Sequence, residues 1–386
     1  MTPAARVQAA IDILNRIQSG EAAEKALTSW GRRSRFAGSK DRAAIRDHVF
    51  DVLRMWRSTA ALGGAESGRG RMIGLLRAQG QDVAELFTGQ GHAPAPLSEA
   101  ETQAGHTPEG AEAMDLPDWL AERFTQDLAD AAEATAEALK TRAPVFLRVN
   151  LLKADVTRAQ AQLAAEGIET RSHPLSPTAL EVLSGARGVA RSDSFAAGLV
   201  ELQDAASQAV VDAIVMDAPA RILDYCAGGG GKTLALAARA PQAELHAHDA
   251  DPRRMSDLPQ RAARAGVSVR CVDAPEGAYD VVMADVPCSG SGAWRRAPEG
   301  KWLLTPQRLS ELNRIQSEIL NTCAGYVAPG GCLAFATCSV LRCENEDRLA
   351  QFLTDHPDWR AATQRRFLPA DGGDGFFVAC VVKPQG

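Results

Sequence analysis

Long hydrophobic runs are absent from this sequence of 386 residues. No apolar segment approaches the roughly 20 residues that a bilayer-spanning helix needs, so we expect no membrane partner. The first residues, Met1 to Val7, show no basic flank followed by an apolar core, which argues against a secretory signal. A hydrophobic content of 45% is ordinary for globular domains. These features predict a protein of the cytoplasm with two or three domains.

Cysteine is absent from the N-terminal half, because all 8 cysteines lie between Cys226 and Cys380. Disulfide-stabilised domains are smaller and much denser in cysteine than this chain. Close Cys-x-x-Cys pairs, the usual source of zinc ligands, do not occur, and we expect no metal. Most of these thiols are expected to be small buried core residues, namely Cys271, Cys323, Cys332 and Cys380.

A basic excess is also missing, since the formal net charge is −6. That value argues weakly against a nucleic-acid partner, but the charge is unevenly distributed. Residues 1–57 contain 11 lysines and arginines against 6 aspartates and glutamates. A local basic face binds phosphate whatever the global sum, and a solvated helical surface has the same composition. Both interpretations stay open at this point.

The pattern of apolar residues divides the chain into four segments. Residues 1–90 show helical spacing, and residues 91–113, rich in Gly, Pro, Ala, Glu and Thr, predict a linker. Residues 114–199 begin with a helix and continue as a small α+β module. From residue 200 to residue 386, strands alternate with helices, which predicts a mostly parallel, doubly wound, Rossmann-like sheet. The expected fold class is α/β, preceded by the small module and an all-α N-terminal domain.

A cluster of glycines, Gly228 to Gly231, follows one predicted strand and precedes a helix. Glycine lets the backbone approach a ligand closely, and the helix N-terminus offers free N–H donors. The spacing does not fit a Walker phosphate loop. Asp249 ends the next strand, where a carboxylate accepts ribose hydroxyls, and Asp273 follows the strand after it. These residues favour an adenosyl cofactor, although both aspartates are also compatible with helix caps.

Two cysteines lie directly after predicted strands, Cys288 within residues 285–292 and Cys338 within residues 336–339. Both thiols should meet near the glycine cluster, because the carboxyl ends of parallel strands share one edge of a sheet. Cytosine C5 is a poor nucleophile, and a thiolate added at C6 turns the ring into a reactive enamine. An acid near N3 or N4, a role suited to Asp285, stabilises that adduct. The set predicts methyl transfer through a covalent cysteine intermediate.

Basic residues follow the first of these thiols closely: Arg295, Arg296 and Lys301, which is beside Trp302. Such side chains hold phosphate and stack on bases. An ordinary surface loop has the same composition, but the neighbouring thiol favours contact with RNA.

Motifs from residue 116 to the C-terminus resemble the RsmB/Sun branch of the RNA cytosine-C5 methyltransferases, within the wider Nop/Sun family. They occur in the following order: Phe146-Leu-Arg-Val-Asn150, Glu201-Leu-Gln-Asp-Ala-Ala-Ser-Gln208, Asp224 to Thr233, Asp285 to Gly292, Arg295 to Trp302, Thr337-Cys-Ser339 with Glu344-Asn345-Glu346, and Asp371 to Phe376. The loop that follows Cys226 reads Ala-Gly-Gly-Gly-Gly-Lys-Thr, where the family usually has Ala-Pro-Gly-Gly-Lys-Thr. The backbone donors remain despite that departure.

The resemblance implies that Cys338 is the nucleophile, that Cys288 assists release of the product, and that S-adenosylmethionine is the methyl donor. The implied cofactor site comprises Cys226, Ala227, Gly228, Gly229, Gly230, Gly231, Lys232, Asp249, Asp273 and Asp285. The predicted RNA contacts are Arg148, Asn150, Arg295, Arg296 and Lys301.

The N-terminal region resembles the NusB-like helical RNA-binding domain of the same branch, mainly through residues 36–42. This favours 16S ribosomal RNA over transfer RNA as the partner, and we expect a monomer. Two other classes stay open: a non-catalytic RNA-binding assembly protein, and an enzyme that methylates an amino group of adenine or cytosine. Retention of both thiols argues against the first. The second typically uses a Pro-Pro-aromatic motif, where this chain has Val-Pro-Cys288.

Overall fold

The computed structural model describes residues 1–385 and divides into two compact units. The first unit comprises Met1–Arg142 together with Trp294–Leu303, and the second comprises Ala143–Ala293 and the chain from Leu304 onward. No helix in the described part of the chain is both long enough and apolar enough to span a bilayer.

The helices and strands are numbered in chain order. The helices are α1 (Pro3–Gln18), α2 (Ala23–Arg33), α3 (Ser39–Arg54), α4 (Trp56–Gly63), α5 (Gly68–Ala78), α6 (Val83–Leu86), α7 (Glu99–Gln103), α8 (Gly110–Ala113), α9 (Asp118–Leu128), α10 (Ala132–Lys140), α11 (Val156–Ala165), α12 (Asp193–Ala196), α13 (Ala205–Asp212), α14 (Gly231–Arg239), α15 (Leu258–Ala265), α16 (Glu299–Leu303), α17 (Pro306–Tyr326) and α18 (Glu346–Asp355). The strands are β1 (Phe146–Val149), β2 (Thr170–Ser172), β3 (Ala179–Val182), β4 (Val200–Leu202), β5 (Arg221–Asp224), β6 (Glu244–Ala247), β7 (Arg270–Cys271), β8 (Tyr279–Asp285), β9 (Val327–Thr337), β10 (Arg360–Phe367) and β11 (Phe376–Val382).

The first unit is built from helices, as the spacing of its apolar residues predicts. Thr2 caps α1 by accepting a hydrogen bond from the backbone N–H of Ala5 at 3.2 Å, and a proline occupies the first turn. Apolar side chains of α1, α3 and α5, among them Leu14, Ile45 and Met72, form one buried core. Helical periodicity therefore identified this part of the chain correctly.

The first unit extends beyond residue 90. The predicted linker, residues 91–113, contains α7 and α8, and α9 and α10 lie in the same compact unit. Asp115 helps to explain why, since its buried carboxylate accepts hydrogen bonds from the backbone N–H groups of Arg57 and Ser58, both at 2.9 Å. These are donors that the first turn of α4 leaves without partners inside the helix.

The second unit begins with a small antiparallel sheet in the order β2-β3-β1-β4. Helix α11 covers one face, where Leu147, Leu163 and Leu180 pack together. These elements form the α+β module that the sequence predicts. The module ends at Leu202, the last residue of β4, and so extends past the predicted end at residue 199.

The larger sheet of the second unit has the order β10-β11-β9-β8-β5-β6-β7. Strands β5 to β9 pair in parallel, and β11 pairs antiparallel to both β9 and β10. The chain moves outward in opposite directions from β5, toward β6 on one side and β8 on the other. Ligands of open α/β sheets bind at such a switch point, beyond the carboxyl ends of the strands. The predicted Rossmann-like fold is confirmed.

Strand β10 has no counterpart among the strands that the sequence pattern predicts. Its residues are mostly exposed, and it carries Arg360, Arg365 and Arg366 rather than an apolar run. Charged side chains on an edge strand discourage pairing with other chains, so an edge strand lacks the apolar signature of its buried neighbours.

Candidate active site

The glycine cluster forms the turn between β5 and α14, at the switch point of the sheet. Gly228 and Gly230 have φ angles of 50° and 81°, in the left-handed region that favours glycine. A side chain on Gly230 would overlap Leu258, and one on Gly228 would come within 3.2 Å of the Arg254 guanidinium. The turn therefore needs glycine at these two positions, and it leaves the N-terminus of α14 open to a ligand.

Asp249 lies directly after β6 with only 4% of its surface exposed. Its carboxylate accepts hydrogen bonds from the backbone N–H of Gly228 at 2.9 Å and that of Asp251 at 3.0 Å. The exposed Arg254 guanidinium also donates to it at 3.0 Å. The two hydroxyl groups of a ribose can donate hydrogen bonds to a carboxylate. On Asp249 they would bind on the side that the Arg254 guanidinium now contacts. The residues thus fit an adenosyl group, and Asp273 lies exposed after β7 at the same edge.

Two arginines donate hydrogen bonds to backbone carbonyls of the glycine turn between β5 and α14, which is called the cofactor loop below. The sequence does not predict either arginine as part of the cofactor site. Arg148 of β1 donates to the Gly231 carbonyl at 2.7 Å and also to the Gln203 side chain. Arg261 of α15 donates to the Gly229 carbonyl. Burial lowers the pKa of Arg148 to about 10. The sequence predicts an RNA contact for Arg148 and gives no signal for Arg261, because their partners inside the protein are far away along the chain.

Four of the five predicted RNA contacts have buried side chains in the structure. Besides Arg148, Asn150 is buried, and its amide donates to the carbonyls of Gly198 and Ala265. Arg295 and Lys301 are also buried. Charged groups are buried only when hydrogen bonds compensate, and such side chains act as internal supports.

Lys301 is a buried cation that forms a hydrogen bond inside the protein. Its ammonium donates to the Arg54 carbonyl at 2.7 Å within the first unit, and burial lowers its pKa to about 8. The nearby Trp302 ring nitrogen donates to the Leu53 carbonyl at 2.8 Å. Of the five predicted RNA contacts, only Arg296 has an exposed side chain.

Asp224, at the end of β5, is a buried acid that the sequence analysis did not single out. One carboxylate oxygen accepts a hydrogen bond from the Thr233 hydroxyl at 2.6 Å, and the other has no protein partner. Burial raises the pKa of Asp224 to about 7. A carboxyl that keeps its proton near neutral pH has one O–H donor available beneath the cofactor loop.

The two predicted catalytic thiols meet, as the sequence analysis expects. Cys288 lies in the Pro-Cys loop (residues 286–292) after β8, and Cys338 lies in the Thr-Cys loop (residues 337–341) after β9. Their sulfur atoms are 3.3 Å apart, a hydrogen-bonding contact and not a disulfide. The hydrogen bond with Cys338, reinforced by burial, raises the pKa of Cys288 well above its ordinary value.

Lys232 and Asp285, both predicted cofactor residues, form an ion pair with a distance of 2.8 Å between Nζ and Oδ2. Burial is the largest single influence on Lys232 and lowers its pKa. The attraction and the hydrogen bond of Asp285, with smaller contributions from other groups, together outweigh it, so the pKa of Lys232 is raised. A thiolate at Cys338 adds to this effect in the same direction. The ion pair thus places the Lys232 ammonium close to the predicted nucleophile.

Glu344 joins the two cysteine loops and is completely buried. One carboxylate oxygen accepts from the Ser289 backbone N–H at 2.8 Å and from the Gln316 amide at 3.0 Å. The other accepts from the Ser339 hydroxyl at 2.5 Å and from the Ser289 hydroxyl. The sequence shows this glutamate only as part of a motif, because its two serine partners lie in different loops.

A pH-dependent stability follows from the position of Asp224. Its folded pKa of about 7 exceeds the roughly 3.9 of an exposed aspartate, so the folded chain holds this proton more tightly than the unfolded chain. That contribution is complete below pH 4 and is lost as the pH rises through 7. Asp224→Asn imitates the protonated acid and does not titrate. Its free energy of unfolding relative to that of the wild type should therefore rise by about 2–3 kcal/mol between pH 5 and pH 8.

Denaturant unfolding at both pH values measures this difference, and Asp358→Asn, at an exposed position, is the control. Parallel curves for the wild type and Asp224→Asn would show that Asp224 titrates normally.

Sequence comparison identifies relatives of the chain from residue 116 onward. Residues 213–381 match the model of the 16S rRNA methyltransferase RsmB/F family, and residues 116–189 match that of its ferredoxin-like domain. The ribosomal RNA small subunit methyltransferase B of Klebsiella pneumoniae is 36% identical over 69% of this chain and 66% of its own length. The protein of the same name from Xylella fastidiosa is 38% identical over 69% of this chain and 68% of its own. The chain thus spans about two thirds of each relative.

The fold also has a counterpart that extends over the whole chain. The crystal structure of PH0851 superposes with a TM-score of 0.75 at 22% identity and covers 99% of both chains. Sequence similarity, matched domains and the placement of both thiols agree. The chain belongs to the RsmB/F family of 16S rRNA methyltransferases.

Proposed function

We propose that this protein transfers a methyl group from S-adenosylmethionine to C5 of a cytosine in 16S ribosomal RNA. The contact between Cys288 and Cys338, at 3.3 Å beside the cofactor loop, is the observation that carries this proposal. Amino-group methylation needs no such pair of thiols, and a non-catalytic binding protein has no use for a protonated and an ionisable sulfur in contact. A cytoplasmic, monomeric enzyme remains our expectation.

The residues around the switch point fit the methyl donor. Asp249 would hold the ribose, the glycine loop would lie against the methionine part, and Asp273 would face the adenine edge. When bound, S-adenosylmethionine supplies the electrophilic methyl group that C5 takes. Arg254 would leave Asp249 on binding, since both groups use the same carboxylate face.

Cys338 performs the addition in this proposal. Its sulfur forms a bond to C6, and the electrons of the C5=C6 double bond move into the ring toward N3. Cys288 keeps its proton and donates it in a hydrogen bond to the Cys338 sulfur, because its own pKa is raised. The thiol pair therefore has one nucleophile and one donor before substrate arrives.

Asp285 and Lys232 complete the reaction site. As negative charge develops at N3, a proton donor at this edge of the base stabilises the adduct. Asp285 lies at the end of β8 as the carboxylate of an ion pair with Lys232. The Lys232 ammonium would supply the proton, which would pass through the Asp285 carboxylate to N3. After methylation a base removes the C5 proton, the double bond re-forms, and the Cys338 sulfur leaves with its electrons. Cys288 assists that release.

Ribosomal RNA is proposed as the substrate from the names of the relatives and from a basic loop of the first unit. Arg32, Arg33, Arg35 and Lys40 are exposed around α2 and the start of α3, and Phe36 between them is 76% exposed. Cations that hold phosphates, together with an aromatic face that stacks on a base, suit single-stranded RNA. Transfer RNA with the same backbone chemistry is the competing substrate.

The two thiols should be separable by mutation. Cys338→Ala should abolish methyl transfer, because no other nucleophile is placed to add to C6. Cys288→Ala should add to cytosine and methylate it, then stall, since release lacks its helper. Denaturing electrophoresis with labelled 16S RNA and S-adenosylmethionine should show a covalent RNA–protein adduct for Cys288→Ala only.

An adduct that appears only when Cys338 is lost would assign the nucleophile to Cys288. Near-wild-type turnover in both single variants would exclude the covalent mechanism. Cys271→Ala, which removes an exposed thiol at the end of β7, serves as the matched control.

Cofactor affinity should depend on the Asp249 carboxylate. Asp249→Ala should raise the Kd for S-adenosylmethionine about ten-fold or more, because hydrogen bonds to a charged acceptor contribute about 1.5–3 kcal/mol each. Isothermal titration calorimetry measures this change. Asp251→Ala is the control, as that carboxylate pairs with Arg253 instead. Equal affinities for Asp249→Ala and the wild type would remove Asp249 from the site.

The basic loop should contribute to RNA affinity through phosphate contacts. The triple variant Arg32→Gln, Arg33→Gln, Arg35→Gln should bind 16S RNA more weakly and reduce the slope of log Kd against log salt by about 0.7 per lost contact. Filter binding at several salt concentrations measures both quantities. Arg308→Gln with Arg314→Gln, which removes two exposed cations of α17, is the control. An unchanged slope in the triple variant would contradict an RNA-binding role for this loop.

A further inference from the structure

The chemistry proposed above requires two touching cysteines to play different roles. Both are partly exposed, and both follow parallel strands. Their sulfurs form one hydrogen bond, in which either can be the donor. Something outside the pair must decide which sulfur keeps the proton.

Glu344 can influence which sulfur keeps the proton, because it forms hydrogen bonds to both cysteine loops. Its carboxylate bonds to the backbone and side chain of Ser289, the residue after Cys288, and to the side chain of Ser339, the residue after Cys338. Neighbouring contacts strengthen the same junction: Gln316 donates to both Glu344 and the Pro287 carbonyl, each at 3.0 Å. The carboxylate thus fixes the relative position of the two sulfurs.

The charges around the pair are unequal. The negative charge of Glu344 acts on Cys288 and disfavours a second negative charge there, although the Gly290 backbone N–H acts in the opposite direction. Cys338 interacts instead with the Lys232 ammonium, which Asp285 also holds. These interactions favour keeping the proton that the two sulfurs share on Cys288.

We propose that Glu344 is the positioning residue that assigns the roles of the two cysteines, by holding their loops together and keeping the proton on Cys288. This inference rests on the proposed function, since it matters only if Cys338 is the nucleophile. The residue touches neither substrate nor cofactor in this scheme and acts through the thiols.

Glu344→Gln removes the negative charge of the side chain and keeps nearly the same shape. The amide carbonyl can keep the Ser289 and Gln316 bonds, and the amide nitrogen can donate to the two serine hydroxyls, which rotate to accept. Glu344→Asp keeps the charge and shortens the side chain. Glu346→Gln, two residues away, removes a carboxylate that pairs with Arg366 at 2.6 Å and is the matched control.

The test is the pH dependence of iodoacetamide alkylation at each cysteine, read by mass spectrometry on the free enzyme without RNA or cofactor. In the wild type, Cys338 should react at lower pH than Cys288. In Glu344→Gln, Cys288 should become about three-fold more reactive at pH 7, a shift of half a pH unit. Glu344→Asp and Glu346→Gln should leave the Cys288 profile unchanged.

Steady-state turnover gives the second readout. Glu344→Gln should lower kcat about ten-fold or more while the KM values for RNA and S-adenosylmethionine stay near those of the wild type, because only the chemical steps use the proton arrangement. A structural defect would instead change KM and lower the melting temperature.

Several outcomes would overturn the inference. An unchanged Cys288 profile in folded Glu344→Gln, or an equal shift in Glu346→Gln, would show that this charge does not set the order. If Glu344→Gln does not fold, the alkylation profiles of the wild type still test the inference. Ionisation of Cys288 at a lower pH than Cys338 in the wild type would contradict it. A wild type that shows the expected order but methylates no cytosine would refute the proposed function and leave the assignment of the proton standing.

Discussion

The active site depends on the parallel pairing of β8 with β9. In this register Asp285 lies opposite Ala336, so the Pro-Cys and Thr-Cys loops leave the sheet side by side at one edge. Fifty residues separate Cys288 from Cys338 along the chain, and only this pairing brings their sulfurs to 3.3 Å. Side chains of β8 and β9 such as Val282 and Phe335 are buried, and a slip of one residue would turn each to the opposite face. Core packing therefore sets the geometry of the thiols.

Buried charged groups then hold the loops that the sheet brings together. Arg148 fixes the cofactor loop through the Gly231 carbonyl, and Glu344 joins the two cysteine loops. Such groups give little net stability, because desolvation offsets most of the attraction. Their value lies in specificity, since a loop that moved would leave a buried charge without partners. The loops are consequently held in one arrangement before any ligand binds.

The sequence predicts the elements and the reacting groups well, for reasons visible in particular residues. The strand before Cys288 and the strand before Cys338 are apolar runs, and the rule that parallel strands share an edge brings both thiols together. Helical spacing likewise identified the N-terminal helices, and the pattern after residue 200 predicted the doubly wound sheet. Strand β10 was missed because an exposed edge strand has no apolar run.

Side-chain environments were harder to predict. Arg148, Arg295 and Lys301 were assigned to RNA from their charge, yet each is buried, and nothing local in the sequence distinguishes a buried cation from a surface one. The partners of Arg148 and Lys301 that reveal their roles, the Gly231 and Arg54 carbonyls, are backbone atoms far away along the chain. Glu344 has the same property, because its contacts join three separate segments. Contacts between residues that are far apart in the sequence arise from the fold, and the spacing of apolar residues does not predict them.

The pair of thiols shows why those distant partners matter for chemistry. Two cysteines in contact share a proton, and by themselves they are interchangeable. Their surroundings differ, with the Glu344 carboxylate acting on Cys288 and the Lys232 ammonium interacting with Cys338. A carboxylate holds a proton on a neighbouring thiol, whereas an ammonium favours a thiolate. In the proposed mechanism, charges carried on other elements of the fold therefore select the nucleophile from two chemically identical side chains, and reversed surroundings would exchange their roles.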